Sequence, residues 1–183
     1  MFFSDHGAPN LIAFPSEYLY ADQLLATFNK IKGKFGKFVF YLETCESGSM
    51  FVNLPKDNKI YALSAANPTE SSWGTYCSPD DIIQGKHIGT CLGDLFSVVF
   101  IEDNDNSDLT GYTLQSQFEK VRALTTLSHV MQWGDTSFSS EPVSNFIGRG
   151  SGIKNSNNLR KPKYSFKPST SFDSRLMKIK ILA

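Results

Sequence analysis

The sequence predicts an open α/β sheet, mostly parallel and flanked by helices. Three observations carry this. Strand-like and helix-like segments alternate along the chain. The stretch "GKFGKFVFYLE" is a near-continuous apolar run, the pattern of a strand buried on both faces. The length of 183 residues suits a single domain with a substantial core.

The elements follow in order. "MFFSDHG" reads as the end of an apolar strand that leaves through Asp5, His6 and Gly7. Residues 15–31, "PSEYLYADQLLATFNKI", place Tyr18, Leu24, Leu25, Phe28 and Ile31 at helical spacing, with Pro15 and Ser16 as the start signal. The apolar run up to Glu43 is the next strand. Residues 58–68, "NKIYALSAANP", form another, stopped by Asn67 and Pro68. Residues 69–92 are rich in Ser, Gly, Thr and Asp and read as a long loop, a length that usually signals function. Residues 92–105 and 113–127 read as helices, although Val98 to Ile101 would equally suit a strand. "SHVMQWGD", residues 128–135, is the last strand. From about Gly148 the composition shifts to Ser, Asn, Lys, Pro and Gly, the mark of a linker or pro-segment. The expected division is a body of residues 1–147 and a basic, flexible tail of residues 148–183. No internal repeat is present.

Composition excludes several classes. No apolar run approaches the roughly 18 residues of a membrane span, and "MFFSDHG" turns polar too early for a signal peptide. The net charge is zero, but the tail holds nine of the 18 Lys and Arg and one of the 18 Asp and Glu. A basic tail on an acidic body can clasp it or remain solvated. The acidic body argues against nucleic acid as a partner, because it would repel phosphate. The cysteines are Cys45, Cys77 and Cys91. None has metal-site spacing, they are too few for a disulfide scaffold, and an odd count leaves at least one free thiol, for which Cys45 is the candidate. No metal or cofactor is expected.

In an open α/β sheet, ligands bind beyond the carboxyl ends of the strands. His6 and Cys45 each follow a predicted strand and are separated by one strand–helix–strand unit. If those strands are neighbours with a right-handed crossover, both side chains reach one edge. There an imidazole can take the proton of a thiol nucleophile. Gly7 lets a backbone N–H approach a substrate oxygen and, with the Cys45 N–H, form an oxyanion hole. The chemistry is acyl transfer through a thioester. Taken singly, a buried strand Cys is ordinarily inert core and a His-Gly pair a turn. Their matched placement favours the catalytic reading. His129 is expected to be packed or hydrogen-bonded, and His87 exposed.

"SDHGAPN", "YLETCESGSMF", "ALSAANPTESSWGTYC", "LGDLFSVVFIED" and "SHVMQWG" resemble, in order from about residue 3 to 135, successive blocks of the legumain family. These are the asparaginyl endopeptidases, also called vacuolar processing enzymes. The resemblance implies a caspase-like fold, a lysosomal, vacuolar or secreted zymogen, and cleavage after Asn and more weakly after Asp. Some members also ligate peptides. It makes His6 the catalytic histidine, Cys45 the nucleophile and Gly7 the oxyanion-hole glycine. Asp5 matches the aspartate before the histidine. Glu43, Ser71, Ser72 and Asp94 fall where the family lines its specificity pocket. A P1 Asn offers an amide donor and a carbonyl acceptor; Glu43 or Asp94 can accept from the donor. Apart from the family, Asp94 would be a helix N-cap, and Ser71 and Ser72 plain loop polarity. The acids flanking Cys45 would raise its pKa, so they belong to pocket and loop rather than to thiol activation.

The family begins well upstream of its catalytic histidine, with the first strands, an Asn that orients the histidine and the cationic half of the pocket. By that measure the chain is an N-terminally truncated fragment that also lacks most of the C-terminal pro-domain. "SFDSRLMKIKILA" resembles the start of an activation peptide. Expected partners are peptides with P1 Asn and the chain's own pro-segment, with self-cleavage at Asn155, Asn157 or Asn158. The alternatives are a glycosylphosphatidylinositol transamidase-like catalytic subunit, or an inactive remnant acting as a binding module.

Overall fold

The computed structural model describes residues 1–148 and 170–176. Asn155, Asn157 and Asn158 lie outside them. Strand β1 (Phe2–Ser4) is followed by β2 (Gly7–Ala8), β3 (Leu11–Ala13) and β4 (Tyr18–Tyr20), which form a small antiparallel sheet. Helix α1 (Ala21–Ile31) leads to β5 (Phe38–Glu43), a 3₁₀ turn (Ser47–Phe51) and β6 (Ile60–Ser64). Then come β7 (Trp73–Thr75), β8 (Ile82–Ile83), β9 (Lys86–His87) and β10 (Gly93–Asp94). Helices α2 (Leu95–Asn106) and α3 (Leu114–Leu124), strand β11 (Met131–Gly134), the short α4 (Ser144–Ile147) and β12 (Phe172–Asp173) complete the order.

The main sheet has the order β1-β5-β6-β11. β1 and β6 run parallel to β5, and β11 is antiparallel to β6. This is the α/β class read from the sequence. Side chains alternate across the two central strands. Val39, Tyr41, Tyr61 and Leu63 face α2 and α3, packing with Leu95, Phe96, Val99, Leu114, Phe118 and Val121. Phe40, Leu42, Ile60 and Ala62 face the other way, toward Leu24 and Phe28 of α1 and toward Met50 and Phe51. Both faces are covered, which is why β5 reads as a continuous apolar run rather than an alternating one.

Two expectations are corrected. The first helix begins at Ala21, not near Pro15: residues 18–20 instead pair with β3, Ala13 opposite Tyr18 and Leu11 opposite Tyr20. Strand pairing overrides the helical spacing of Tyr18 there, and Gln23 reaches back to accept the Tyr20 N–H at 3.1 Å. The segment 69–92 is not an irregular loop. It contains β7, the β8–β9 hairpin and a Cys77–Cys91 disulfide, leaving Cys45 as the free thiol among the cysteines.

Leu63 lies fully buried in the central strand β6. Leu63→Ala is expected to destabilise the fold by about 2–5 kcal/mol, the cost of transfer plus cavity. Urea unfolding of the two proteins checks this.

Candidate active site

β1 and β5 are adjacent and parallel, with Ser4 opposite Glu43. The pairing runs one residue further, where the Asp5 N–H donates to the Glu43 carbonyl at 3.1 Å. The chain then leaves β1 through His6 and Gly7, and leaves β5 through Thr44 and Cys45, at one edge. Gly7 approaches the second exit closely. A Cβ on it would lie 2.7 Å from the Cys45 carbonyl oxygen and 2.7 Å from Thr44 Oγ1. Only glycine fits between the two exits. The Asp5 carboxylate turns back to accept the His6 N–H at 2.6 Å.

After Cys45 the backbone turns sharply. Glu46 adopts φ 48°, a left-handed conformation that side chains disfavour. The following 3₁₀ turn packs on the loop after β6, where the Gly48 N–H donates to the Ala66 carbonyl at 3.1 Å. A Cβ on Gly48 would lie 2.9 Å from the Pro68 nitrogen, so glycine is required there too. The same loop brings Ser72 to Cys45, with Oγ 3.8 Å from Sγ.

Cys45 is wholly buried. Burial pushes its thiol up, the hydrogen bonds from Ser72 oppose this, and the charges of Glu46 and Asp173 push it up further. The flanking acid therefore opposes thiolate formation.

The buried Glu43 and the half-buried Asp94 form an acidic pair. Glu43 caps α2 from outside the helix. Its carboxylate accepts the Phe96 N–H at 3.3 Å, the Ser97 N–H at 2.7 Å and the Ser97 hydroxyl. Asp94 occupies the N-cap position but makes no side-chain cap bond. It accepts instead from the Ser4 hydroxyl at 2.9 Å. Burial raises the Glu43 pKa first, and the Asp94 charge raises it further. Burial likewise raises Asp94.

Residues 170–176 lie across this edge as a strap. β12 pairs antiparallel with β7, Asp173 opposite Trp73 and Phe172 opposite Gly74. Thr170 exchanges bonds with Cys77 at 3.2 and 2.6 Å, and the Ser174 N–H donates to the Ser72 carbonyl at 3.1 Å. The Ser71 hydroxyl donates to the Asp173 carboxylate at 2.9 Å. Arg175 pairs with Asp173 at 3.1 Å and with Glu46 at 3.4 Å. For this stretch of tail, the clasp prevails over free solvation.

The structure thus draws His6, Gly7, Cys45, Ser71 and Ser72 to one edge, with Asp94 and Glu43 beneath. Asp5 is engaged with its own backbone neighbour, and both Glu43 oxygens already serve α2. An open cleft of about 350 Å³ lined by Asn10, Tyr20, Ser49 and Asn53 includes none of these residues. Among the described residues, no group of His, Cys, Asp and Glu is arranged to hold a metal ion, and no helix is long and apolar enough to cross a membrane. His87 is exposed and pairs with Asp81 at 2.7 Å, while His129 pairs with Glu70 at 2.8 Å. The disulfide, the register of the strap on β7 and the Glu70 contacts escaped the sequence reading. Two of three cysteines in one polar segment and the basic tail were the available signals.

The raised Glu43 pKa has a sign that can be tested. The fold favours the neutral acid, so its contribution is fully present below the ordinary value of 4.5 and is lost as pH rises through the higher folded value. Glu43→Gln should flatten the fall in unfolding free energy between pH 5 and 8, measured by urea titration at each pH. An unchanged slope would contradict the burial argument.

Comparison with known proteins places the chain. Residues 1–149 match the Peptidase C13 family. A vacuolar-processing enzyme of Citrus sinensis is 42% identical over 157 residues, covering 81% of this chain and 32% of the relative. A hemoglobinase of Schistosoma mansoni is 42% identical over 178 residues, covering 96% and 39%. Legumain of Mus musculus is 42% identical over 150 residues, covering 81% and 33%. The chain spans about a third of the length of these curated relatives, or slightly more. On the match across residues 1–149, the chain belongs to the Peptidase C13 family.

Proposed function

We propose that the chain carries the catalytic edge of a legumain-type cysteine endopeptidase that cleaves peptide bonds after Asn, and more weakly after Asp. One observation carries this reading: His6 and Cys45 leave adjacent parallel strands at the same edge, with Gly7 packed against the Cys45 carbonyl. His6 takes the Cys45 proton, and the thiolate attacks the scissile carbonyl. The N–H groups of Gly7 and Cys45 hold the developing oxyanion. His6 then passes the proton to the leaving amine, and a thioester remains on Cys45. Water, deprotonated by His6, attacks that thioester and releases the acid and the thiol. Asp94 is the better acceptor for the P1 amide, because Glu43 is occupied by α2. Ser71 and Ser72 line the same recess.

The strap supports a second element of this reading, a resident pro-segment that keeps the site latent. It takes the Ser71 hydroxyl, pairs with β7 and sets Arg175 on Glu46 beside the nucleophile. The Cys77–Cys91 disulfide suits an oxidising compartment, in keeping with a lysosomal, vacuolar or secreted setting.

The test is cleavage of fluorogenic peptides with P1 Asn, Asp or Gln by the 183-residue chain. Expected are a preference for Asn over Asp, no cleavage after Gln and complete loss in Cys45→Ala. Arg175→Ala should raise the initial rate about two- to fivefold, in line with the modest worth of an exposed ion pair. Turnover that survives Cys45→Ala, or that ignores the P1 residue, would contradict the proposal.

A further inference from the structure

Glu70 stands where three chain segments meet. Its backbone carbonyl accepts the N–H of Glu46 at 2.7 Å. Glu46 directly follows Cys45 and is the residue held at φ 48°. The Glu70 side chain binds the other two segments. Its Oε1 accepts the Asn67 N–H at 2.7 Å and the His129 N–H at 2.7 Å. Its Oε2 lies 2.8 Å from His129 Nδ1. The neighbouring Ser128 hydroxyl donates to the Ala65 carbonyl at 2.6 Å, so residues 128 and 129 are themselves anchored at the end of β6. Burial alone would push the Glu70 carboxyl up, but the donors at Asn67 and His129 outweigh it and hold it below its ordinary range.

A left-handed turn on a residue with a side chain persists only where its surroundings hold it. The Glu46 amide is held by one carbonyl, and that carbonyl belongs to a residue whose side chain is fixed by three donors. We propose that Glu70, clamped by His129, is a positioning residue for the Cys45 turn: it keeps the Cys45 N–H and thiol aligned with His6 and Gly7 without touching the substrate. The inference rests on the peptidase reading above for its kinetic consequence, but not for its structural one. His129 is well suited to test it, since its side chain is 76% exposed and packs in no core.

The experiment compares Glu70→Ala, Glu70→Gln and His129→Ala in the whole chain. Two quantities are read: hydrogen exchange of the Glu46 amide, and kcat and KM on the P1-Asn peptide. Glu70→Ala should speed Glu46 exchange by about tenfold or more. It should lower kcat by about 100-fold with KM little changed, as a small misplacement of reacting groups does. Glu70→Gln keeps an oxygen acceptor for the two backbone donors and should recover most of both. His129→Ala loses one hydrogen bond and should show the same pattern at about three- to tenfold; it decides the matter if Glu70→Ala does not fold. Unchanged Glu46 exchange in Glu70→Ala, with faster exchange confined to Asn67 and His129, would overturn the proposal. So would a loss expressed in KM alone. If the parent chain does not cleave the Asn peptide, the functional reading fails, and the Glu46 exchange still decides the clamp.

Discussion

The site depends on one constraint: β1 lies beside β5 and runs the same way. Parallel neighbours must release their chains at the same edge, so the residues after each strand meet. Were β1 antiparallel to β5, or displaced by one strand, His6 and Cys45 would sit at different places. The adjacency is held by ladder bonds, by Asp5 N–H on the Glu43 carbonyl, and by the side chains that bury both faces of β5. The close fit at Gly7 then follows, because two exits converging on one edge leave no room for a Cβ.

Around that edge the charges are arranged against a resting thiolate. Glu43 and Asp94 form one acidic pair there, and the buried Cys45 thiol feels the charges of Glu46 and Asp173. Burial favours the neutral forms of Cys45, Glu43, Glu46 and Asp94, whereas the hydrogen bonds of Arg175 and Ser71 keep Asp173 charged. The cations that answer this acidity come from outside the sheet: Arg175 of the strap reaches Glu46 and Asp173. The same pairs that stabilise the acids hold the strap in place. Seating the strap and answering the acidity at this edge are therefore one electrostatic arrangement.

Much of this could be read from the residues, and the rest could not for definite reasons. The sheet, the three longer helices and the shared exit of His6 and Cys45 came from apolar runs, helical spacing and strand order. The start of α1 was misplaced because residues 18–20 pair with β3, a contact that helical periodicity cannot register. Asp94 had the sequence of an N-cap and the position of one, yet the cap is supplied by Glu43, 51 residues earlier in the chain. Glu70 showed itself only inside the block that resembles the legumain family, and its bond to the Glu46 N–H depends on where its carbonyl points, which residue type does not encode. The strap was visible only as part of a basic tail and as a likeness to the start of an activation peptide. Its register on β7 depends on backbone pairing, which composition does not encode.

The central claim is that Cys45 and His6 form a working dyad at this edge. The most direct measurement is covalent capture with a P1-Asn peptide bearing a thiol-reactive electrophile, with the adduct located by mass spectrometry in the parent chain and in His6→Ala. The account predicts a single adduct on Cys45, formed at least about 100-fold more slowly when His6 is removed, the scale of general-base assistance. Labelling of Cys45 at the same rate in both proteins would contradict it.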